Sequence, residues 1–196
     1  MKLRIDEVPT TGVRLRWDEP AESLAVRFAS ERGGGAGAPV DASALEPIRV
    51  DLEVARVERT LAVMGRVETT VGLECARCLA PVQARMALPT ALLFVPATPG
   101  AAAHEDTPDD LDLSDLPFEL PAEGLEVLDY SGSEVDLGQA AVDQVVLAMP
   151  LAPLCQESCR GLCPHCGQDL NVAGCGCADD PVDPRFAVLK NLKLSR

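Results

Sequence analysis

The sequence predicts an α+β fold: an N-terminal antiparallel β-sheet or small barrel, then a C-terminal helix, a cysteine-rich zinc knuckle and a short terminal helix. Three observations predict it. Residues 48 to 95 alternate apolar and polar side chains with the period of a half-buried strand. Residues 137 to 149 carry Val142, Val145, Val146 and Met149 on one helical face behind a capping residue. Six of the eight cysteines then fall between Cys155 and Cys177.

Residues 1–97 are expected to form the β-rich domain. Leu3 and Ile5 alternate with polar neighbours, and Val13-Arg14-Leu15-Arg16-Trp17 repeats the pattern, so short strands are expected, with residues 23 to 29 continuing them. Gly33-Gly34-Gly35-Ala36-Gly37 reads as a loop, because glycine loses the most backbone entropy on ordering. No Gly-Lys-Ser/Thr follows it, so it is not a phosphate cradle. Ile48, Val50, Leu52 and Val54 alternate most cleanly, with looser repeats from 57 to 73. The pattern suits an antiparallel meander with Met64-Gly65 as a turn or bulge and Glu74-Cys75-Ala76-Arg77-Cys78-Leu79 as a hairpin tip. A further strand pair is expected from 82 to 95.

Residues 98–126 are rich in Pro, Ala, Asp and Glu and are expected to be a mobile acidic linker, with His104 solvated inside it. Residues 125 to 130 return as a strand. The third unit, residues 127–196, holds the helix and the cysteine-rich module and is expected to pack on the β-domain. Asp136 with Gln139 resembles a capping box, and Pro150 stops the helix. That helix would deliver Cys155 back towards the Cys75–Cys78 tip. Asp183-Pro184-Arg185-Phe186 opens a final helix with Phe186, Leu189 and Leu192 inward and Lys190 and Lys193 near its C-terminus.

Charge is unevenly placed. The net charge is −14, yet residues 1–85 carry 12 Lys+Arg against 13 Asp+Glu, and residues 160–196 carry 5 against 4. Residues 86–159 hold 14 acids and no Lys or Arg. Such a middle repels a phosphate backbone and attracts basic partners, although a charge run also serves as a plain solvated linker. Aromatic residues are only 3%, which leaves few platforms for stacking single-stranded nucleic acid. No apolar run approaches the roughly twenty residues that span a bilayer, so no membrane segment is expected.

The cysteines carry the chemistry. Their spacing runs Cys155-x3-Cys159-x3-Cys163-x2-Cys166-x8-Cys175-x-Cys177, with Cys75 and Cys78 as a further pair upstream. Met1-Lys2-Leu3-Arg4-Ile5-Asp6 is followed by no apolar stretch, so no signal peptide is expected and disulfides are disfavoured. Neither Cys-x-x-Cys pair sits in the βαβ setting of a thioredoxin-like redox motif. Eight cysteines in four close pairs match two tetrahedral four-thiolate zinc sites, with an iron–sulfur cluster as the other four-thiolate solution. The later pairs can close locally, whereas the earliest needs a distant partner. One ion is therefore expected on Cys75, Cys78, Cys155 and Cys159, and a second on Cys163, Cys166, Cys175 and Cys177. Left alone, Cys75 and Cys78 would read as buried core thiols. All-thiolate coordination leaves no open metal position, and His104 and His165 are the only histidines, so no catalytic constellation is expected.

Several stretches taken together resemble one known family: Leu73-Glu74-Cys75-Ala76-Arg77-Cys78, Leu147-Ala148-Met149-Pro150, Gly161-Leu162-Cys163-Pro164-His165-Cys166-Gly167-Gln168-Asp169-Leu170-Asn171, and Asp183-Pro184-Arg185-Phe186-Ala187-Val188-Leu189. Their order and spacing over residues 45–95 and 125–196 resemble the bacterial YceD family, the large ribosomal RNA subunit accumulation proteins. The resemblance implies a cytoplasmic, non-enzymatic factor needed for normal levels or processing of large-subunit ribosomal RNA, with ties to ribosome assembly. It also implies two separable metal sites. The partners expected are a basic ribosomal protein or assembly factor, with ribosomal RNA reached directly or through it. The alternatives are a direct RNA-binding zinc protein whose basic patch comes from the β-domain and the last helix, and a redox or metal-dependent enzyme, which would need an open metal position and a nearby general base.

Overall fold

The computed structural model describes residues 1–31, 43–97, 112–121 and 124–177. The chain opens with β1 (Lys2–Arg4), a 3-10 turn at Ile5–Glu7 and β2 (Val13–Glu19). α1 (Glu22–Glu31) follows, where strand was expected. The cause is local: the N–H groups of Ser23 and Leu24 turn back onto the carbonyls of Pro20 and Ala21, and Leu24 is fully buried at 0% exposure while Val26 is 67% exposed. A helix satisfies one apolar anchor and its own backbone, whereas a strand would need a free sheet edge.

β3 (Ser43–Ala44), β4 (Ile48–Val57), β5 (Thr60–Glu74) and β6 (Pro81–Pro96) build the main sheet. β7 (Glu126–Tyr130), β8 (Glu134–Asp136) and α2 (Leu137–Ala148) complete the described elements. The sheet order is β2-β4-β5-β6-β7, with β3 on β5 beyond the end of β4, and β1 pairs separately with β8. Pairing is antiparallel except at β6–β7, which is parallel. No pairing among the described residues joins β2 to β7, so the sheet is open and not a barrel.

Two expectations within the sheet are corrected. Met64-Gly65 is neither turn nor bulge but lies inside β5, with Gly65 opposite Leu52 on one side and Thr90 on the other. Glycine is needed there because the β4 backbone comes so close that a Cβ would lie 2.1 Å from the Asp51 carbonyl oxygen. Residues 82 to 95 are not a strand pair but one long strand, β6. Pro89 is tolerated within it because β7 begins pairing only at Leu92, leaving β6 with β5 on one side alone at that point.

Alternation decides which face is buried. Ile48, Val50, Leu52 and Val54 of β4 and Leu61, Val63, Val67, Val71 and Leu73 of β5 point to one side and join Met86, Leu92 and Phe94 of β6. α2 closes that core with Leu137, Ala140, Ala141, Val142 and Val145, joined by Met149 just past its end. Full burial of a side chain such as Leu137 or Val145 is worth about 1.5–3 kcal/mol, so packing and not helix propensity holds α2. Asp136 caps it by accepting from the Gln139 N–H at 3.1 Å. The Gln139 side chain does not close the box, turning to Asp143 at 3.0 Å. Met149 is extended (ψ 136) ahead of Pro150, as a residue before proline must be.

The opposite face of the sheet is covered too. Leu113, Leu116, Phe118 and Leu120 pack on Ala62, Leu93 and Val95. This corrects the expectation of a mobile acidic segment for residues 112–121: apolar side chains threaded between acids give it one face for the sheet and leave Asp112, Asp115 and Glu119 exposed. The glycine loop at 33–37, residues 98–111 with His104, and the expected final helix at 183–193 lie outside the described residues. Among the described residues no helix is long and apolar enough to cross a membrane.

Candidate metal centres

β5 and β6 pair from Leu61↔Phe94 to Glu74↔Pro81, which places residues 75–80 at the tip of the hairpin. The turn is tight: the Cys75 N–H donates to the Ala80 carbonyl at 2.8 Å, the Leu79 N–H donates to the Cys75 carbonyl at 2.9 Å, and Leu79 has φ 61. Cys75 and Cys78 thereby face the same side. The segment after α2 reaches this tip, where the Ala76 N–H donates to the Pro153 carbonyl at 2.8 Å. It brings Cys155 Sγ to 3.6 Å from Cys78 Sγ and Cys159 Sγ to 3.8 Å from Cys75 Sγ.

Those separations are informative. A disulfide would bring two sulfurs to about 2.05 Å. Four thiolates at about 2.3 Å from one tetrahedral ion stand about 3.8 Å apart, close to both observed values. The four sulfurs lie within 4.8 Å of one another, as do those of Cys163, Cys166, Cys175 and Cys177. The structure thus brings together all eight expected residues as two groups of four, each of which could hold a metal ion. His165 is exposed and is not among the residues of either group, and His104 lies outside the described residues.

The second group is built from a short loop. Leu162 bridges Asp169, the Cys163 N–H donates to the Gln168 carbonyl at 2.8 Å, and the Gly167 N–H donates to the Cys163 carbonyl at 2.9 Å. Gly167 has φ 73, the left-handed conformation that closes such a knuckle.

Electrostatics differ within each group. Backbone donation, from Cys155 foremost, lowers the Cys75 thiol to about 6, and desolvation followed by neighbouring sulfurs pushes Cys155 up to about 12. Although Cys155 as a residue is exposed, its sulfur faces the cluster. Likewise the backbone N–H groups of Cys166 and His165 lower Cys163 to about 6, while contact with Cys166, then burial, pushes Cys177 up to about 12. Each group therefore offers one ready thiolate and one sulfur that neighbouring sulfurs and burial keep protonated, a conflict that a divalent cation resolves.

Two contributors escaped the sequence reading as functional residues. Arg77, between Cys75 and Cys78, donates from Nη1 to the Cys159 carbonyl at 2.7 Å and accepts at its own carbonyl from the Leu162 N–H at 3.0 Å. Asn171 donates from Nδ2 to Cys159 Sγ at 3.4 Å. Nothing in cysteine spacing signals either, because each contact depends on how the two loops are set against each other.

Comparison with known proteins follows the cysteines. Residues 63–193 match the family described as large ribosomal RNA subunit accumulation protein YceD. An uncharacterized protein of Mycobacterium tuberculosis is 35% identical over 150 residues, covering 76% of this chain and 63% of that protein. The chain thus spans somewhat under two thirds of the length of that relative. One from Mycobacterium leprae is 34% identical over 146 residues, 74% of this chain and 59% of the relative. A chloroplastic protein of Arabidopsis thaliana, named large ribosomal RNA subunit accumulation protein YCED homolog 1, is 26% identical over 165 residues, 75% of this chain and 49% of the relative. No solved structure matches the chain.

Proposed function

The chain belongs to the YceD family, and on that premise we propose that it is a non-enzymatic zinc-binding factor that supports large-subunit ribosomal RNA accumulation or processing during ribosome assembly. One observation carries this reading: the segment that matches the family, residues 63–193, contains all eight cysteines and both four-sulfur groups. Zinc is the proposed ion at both, since closed tetrahedral thiolate sites with local pairs are its structural habit. When bound, each ion would hold loops together and supply no reactive water. The first would tie the β5–β6 tip to the segment after α2, and the second would fold residues 163–177. The family's description names accumulation of an RNA and no reaction, in keeping with a binding role.

The partner we propose is a basic ribosomal protein or assembly factor, met in the bacterial cytoplasm where ribosomes assemble. Residues 86–159 hold 14 acids and no Lys or Arg, and Asp112, Asp115 and Glu119 stand exposed on a segment anchored by its apolar residues. A fixed acidic rim attracts a basic protein at a smaller ordering cost than a loose tail. Direct RNA contact through the part of the opposite sheet face that residues 112–121 leave open is the second reading, because Arg14, Arg16, Arg49, Arg66 and Arg85 are exposed there. It is the weaker one: Arg14 and Arg16 are engaged by Asp51 at 2.7 and 3.0 Å, and Arg66 by Glu68 at 3.4 Å.

The test is complementation of cells depleted of the protein, with the ratio of large- to small-subunit ribosomal RNA as readout and metal content measured on the purified chain. Wild type should restore the ratio and carry two zinc ions; a normal ratio in depleted cells would end the assembly reading. Purified basic large-subunit proteins should be captured at low salt and lost with the triple substitution Asp112→Lys, Asp115→Lys and Glu119→Lys. Capture of naked ribosomal RNA alone, unaffected by that substitution, would favour the second reading.

A further inference from the structure

We propose that Asn171 is a positioning residue through which the second cysteine group strengthens metal binding at the first, an inference that rests on the metal-binding reading above. Asn171 belongs to the loop between Cys166 and Cys175, yet its Nδ2 donates to the sulfur of Cys159, a member of the other group, at 3.4 Å. The orientation of its amide is fixed by its neighbours. Oδ1 accepts from the Arg160 N–H at 2.8 Å, which leaves Nδ2 to face the Asp169 carboxylate at 2.7 Å and the sulfur. A flipped amide would set its NH₂ against another donor and its oxygen against a carboxylate and a thiolate.

The loop of the second group holds Asn171 in place. The Asn171 N–H donates to Asp169 Oδ1 at 2.8 Å, the Leu170 N–H to the Gly161 carbonyl at 2.9 Å, and the Ala173 N–H to the Asp169 carbonyl at 3.3 Å. Cys163 and Cys166 lie on one side of this turn and Cys175 and Cys177 on the other. Drawing those four sulfurs together around an ion therefore closes the loop on which Asn171 stands. Without the ion that closure is lost, and the hydrogen bonds just named are left to hold the loop.

The benefit falls on the first group. Four thiolates around a divalent ion carry a net charge of about −2, and an N–H aimed at one sulfur offsets part of it. Cys159 is the sulfur so served, 3% exposed and 3.8 Å from Cys75. Hydrogen bonds of this outer kind typically change metal affinity by about 10–100-fold. The two groups thus share one polar contact that links loading of the exposed knuckle to tightness at the hairpin tip.

The experiment loads the full chain with Co(II), whose thiolate charge-transfer bands report occupancy, displaces it with Zn(II), and follows ion release to a chelator. Wild type should bind two ions. Asn171→Ala should keep the stoichiometry and release the first-group ion about 10–100-fold faster while leaving the second-group phase unchanged. Asn171→Asp retains the acceptor for the Arg160 N–H and lacks the amide donor, so it should behave like Asn171→Ala or worse. Cys163→Ser with Cys166→Ser should weaken the first group by a similar factor, and adding Asn171→Ala to that pair should cost nothing more. Unchanged release from Asn171→Ala, wild-type behaviour of Asn171→Asp, or a full additional loss in the triple variant would each overturn the coupling. A wild-type chain that takes up neither ion would remove the metal reading itself, and the coupling with it.

Discussion

The two cysteine groups have the same donor set and opposite surroundings. The first joins residues far apart in sequence, Cys75 to Cys159 and Cys78 to Cys155, at the tip of the longest hairpin, and Cys75, Cys78 and Cys159 are all buried beside Ala80, Val82, Leu154 and Leu162. The second closes within one short loop, with Cys163 buried and Cys166 and Cys177 exposed. Equal chemistry therefore does different structural work. An ion in the first would close a long stretch of chain, including α2 and the acidic segment, whereas an ion in the second would close only the chain that it touches.

The largest expected effect comes from Cys75→Ser. It should lose one ion and lower the melting temperature by roughly 10 °C, from a cost of several kcal/mol in a chain of this size. Loss of docking should appear as faster amide exchange at Ala76, whose N–H meets the Pro153 carbonyl. Cys166→Ser should also lose one ion yet cost only about 1–2 kcal/mol, or roughly 5 °C, because the sheet and the hairpin tip stay closed. Calorimetry on the two variants side by side decides the matter. Equal losses of stability would mean that the second group is as deeply tied to the core as the first, and the contrast would fail.

Much of this arrangement was legible in the sequence. Pair spacing separates the cysteines into a distant set and a local one, and the Asp136 cap with Pro150 defines the helix that carries Cys155 back to the tip. These signals are local, and local chemistry reads out of a chain directly. What stayed hidden depends on tertiary placement. Residues 23–29 are helical, with Leu24 buried and Val26 exposed, and the parallel edge at β7 depends on where the chain re-enters the sheet. Leu113, Leu116, Phe118 and Leu120 have no strand or helix period to mark them, and they pack on a sheet face built by residues far away in sequence. Arg77 and Asn171 bridge the two loops, and no spacing rule encodes a contact between loops.

The smallest effects give the sharpest test of where the two groups meet. Gly161 and Gly167 both adopt left-handed backbone, φ 75 and 73, so at either an alanine should cost about 1 kcal/mol from conformation alone. Their surroundings differ. A Cβ at Gly167 meets nothing within 4 Å, while at Gly161 it would lie 2.9 Å from the Arg77 carbonyl oxygen, the acceptor for the Leu162 N–H. Gly161→Ala should therefore destabilise more than Gly167→Ala and speed exchange of the Leu162 amide. Asparagine separates the causes, because it tolerates the left-handed region better than alanine but carries the same Cβ. Gly167→Asn should recover part of the loss seen with Gly167→Ala, whereas Gly161→Asn should be no better than Gly161→Ala. Equal recovery by asparagine at both positions would mean that the Arg77 loop yields freely, and that the junction between the two groups is softer than its hydrogen bonds imply.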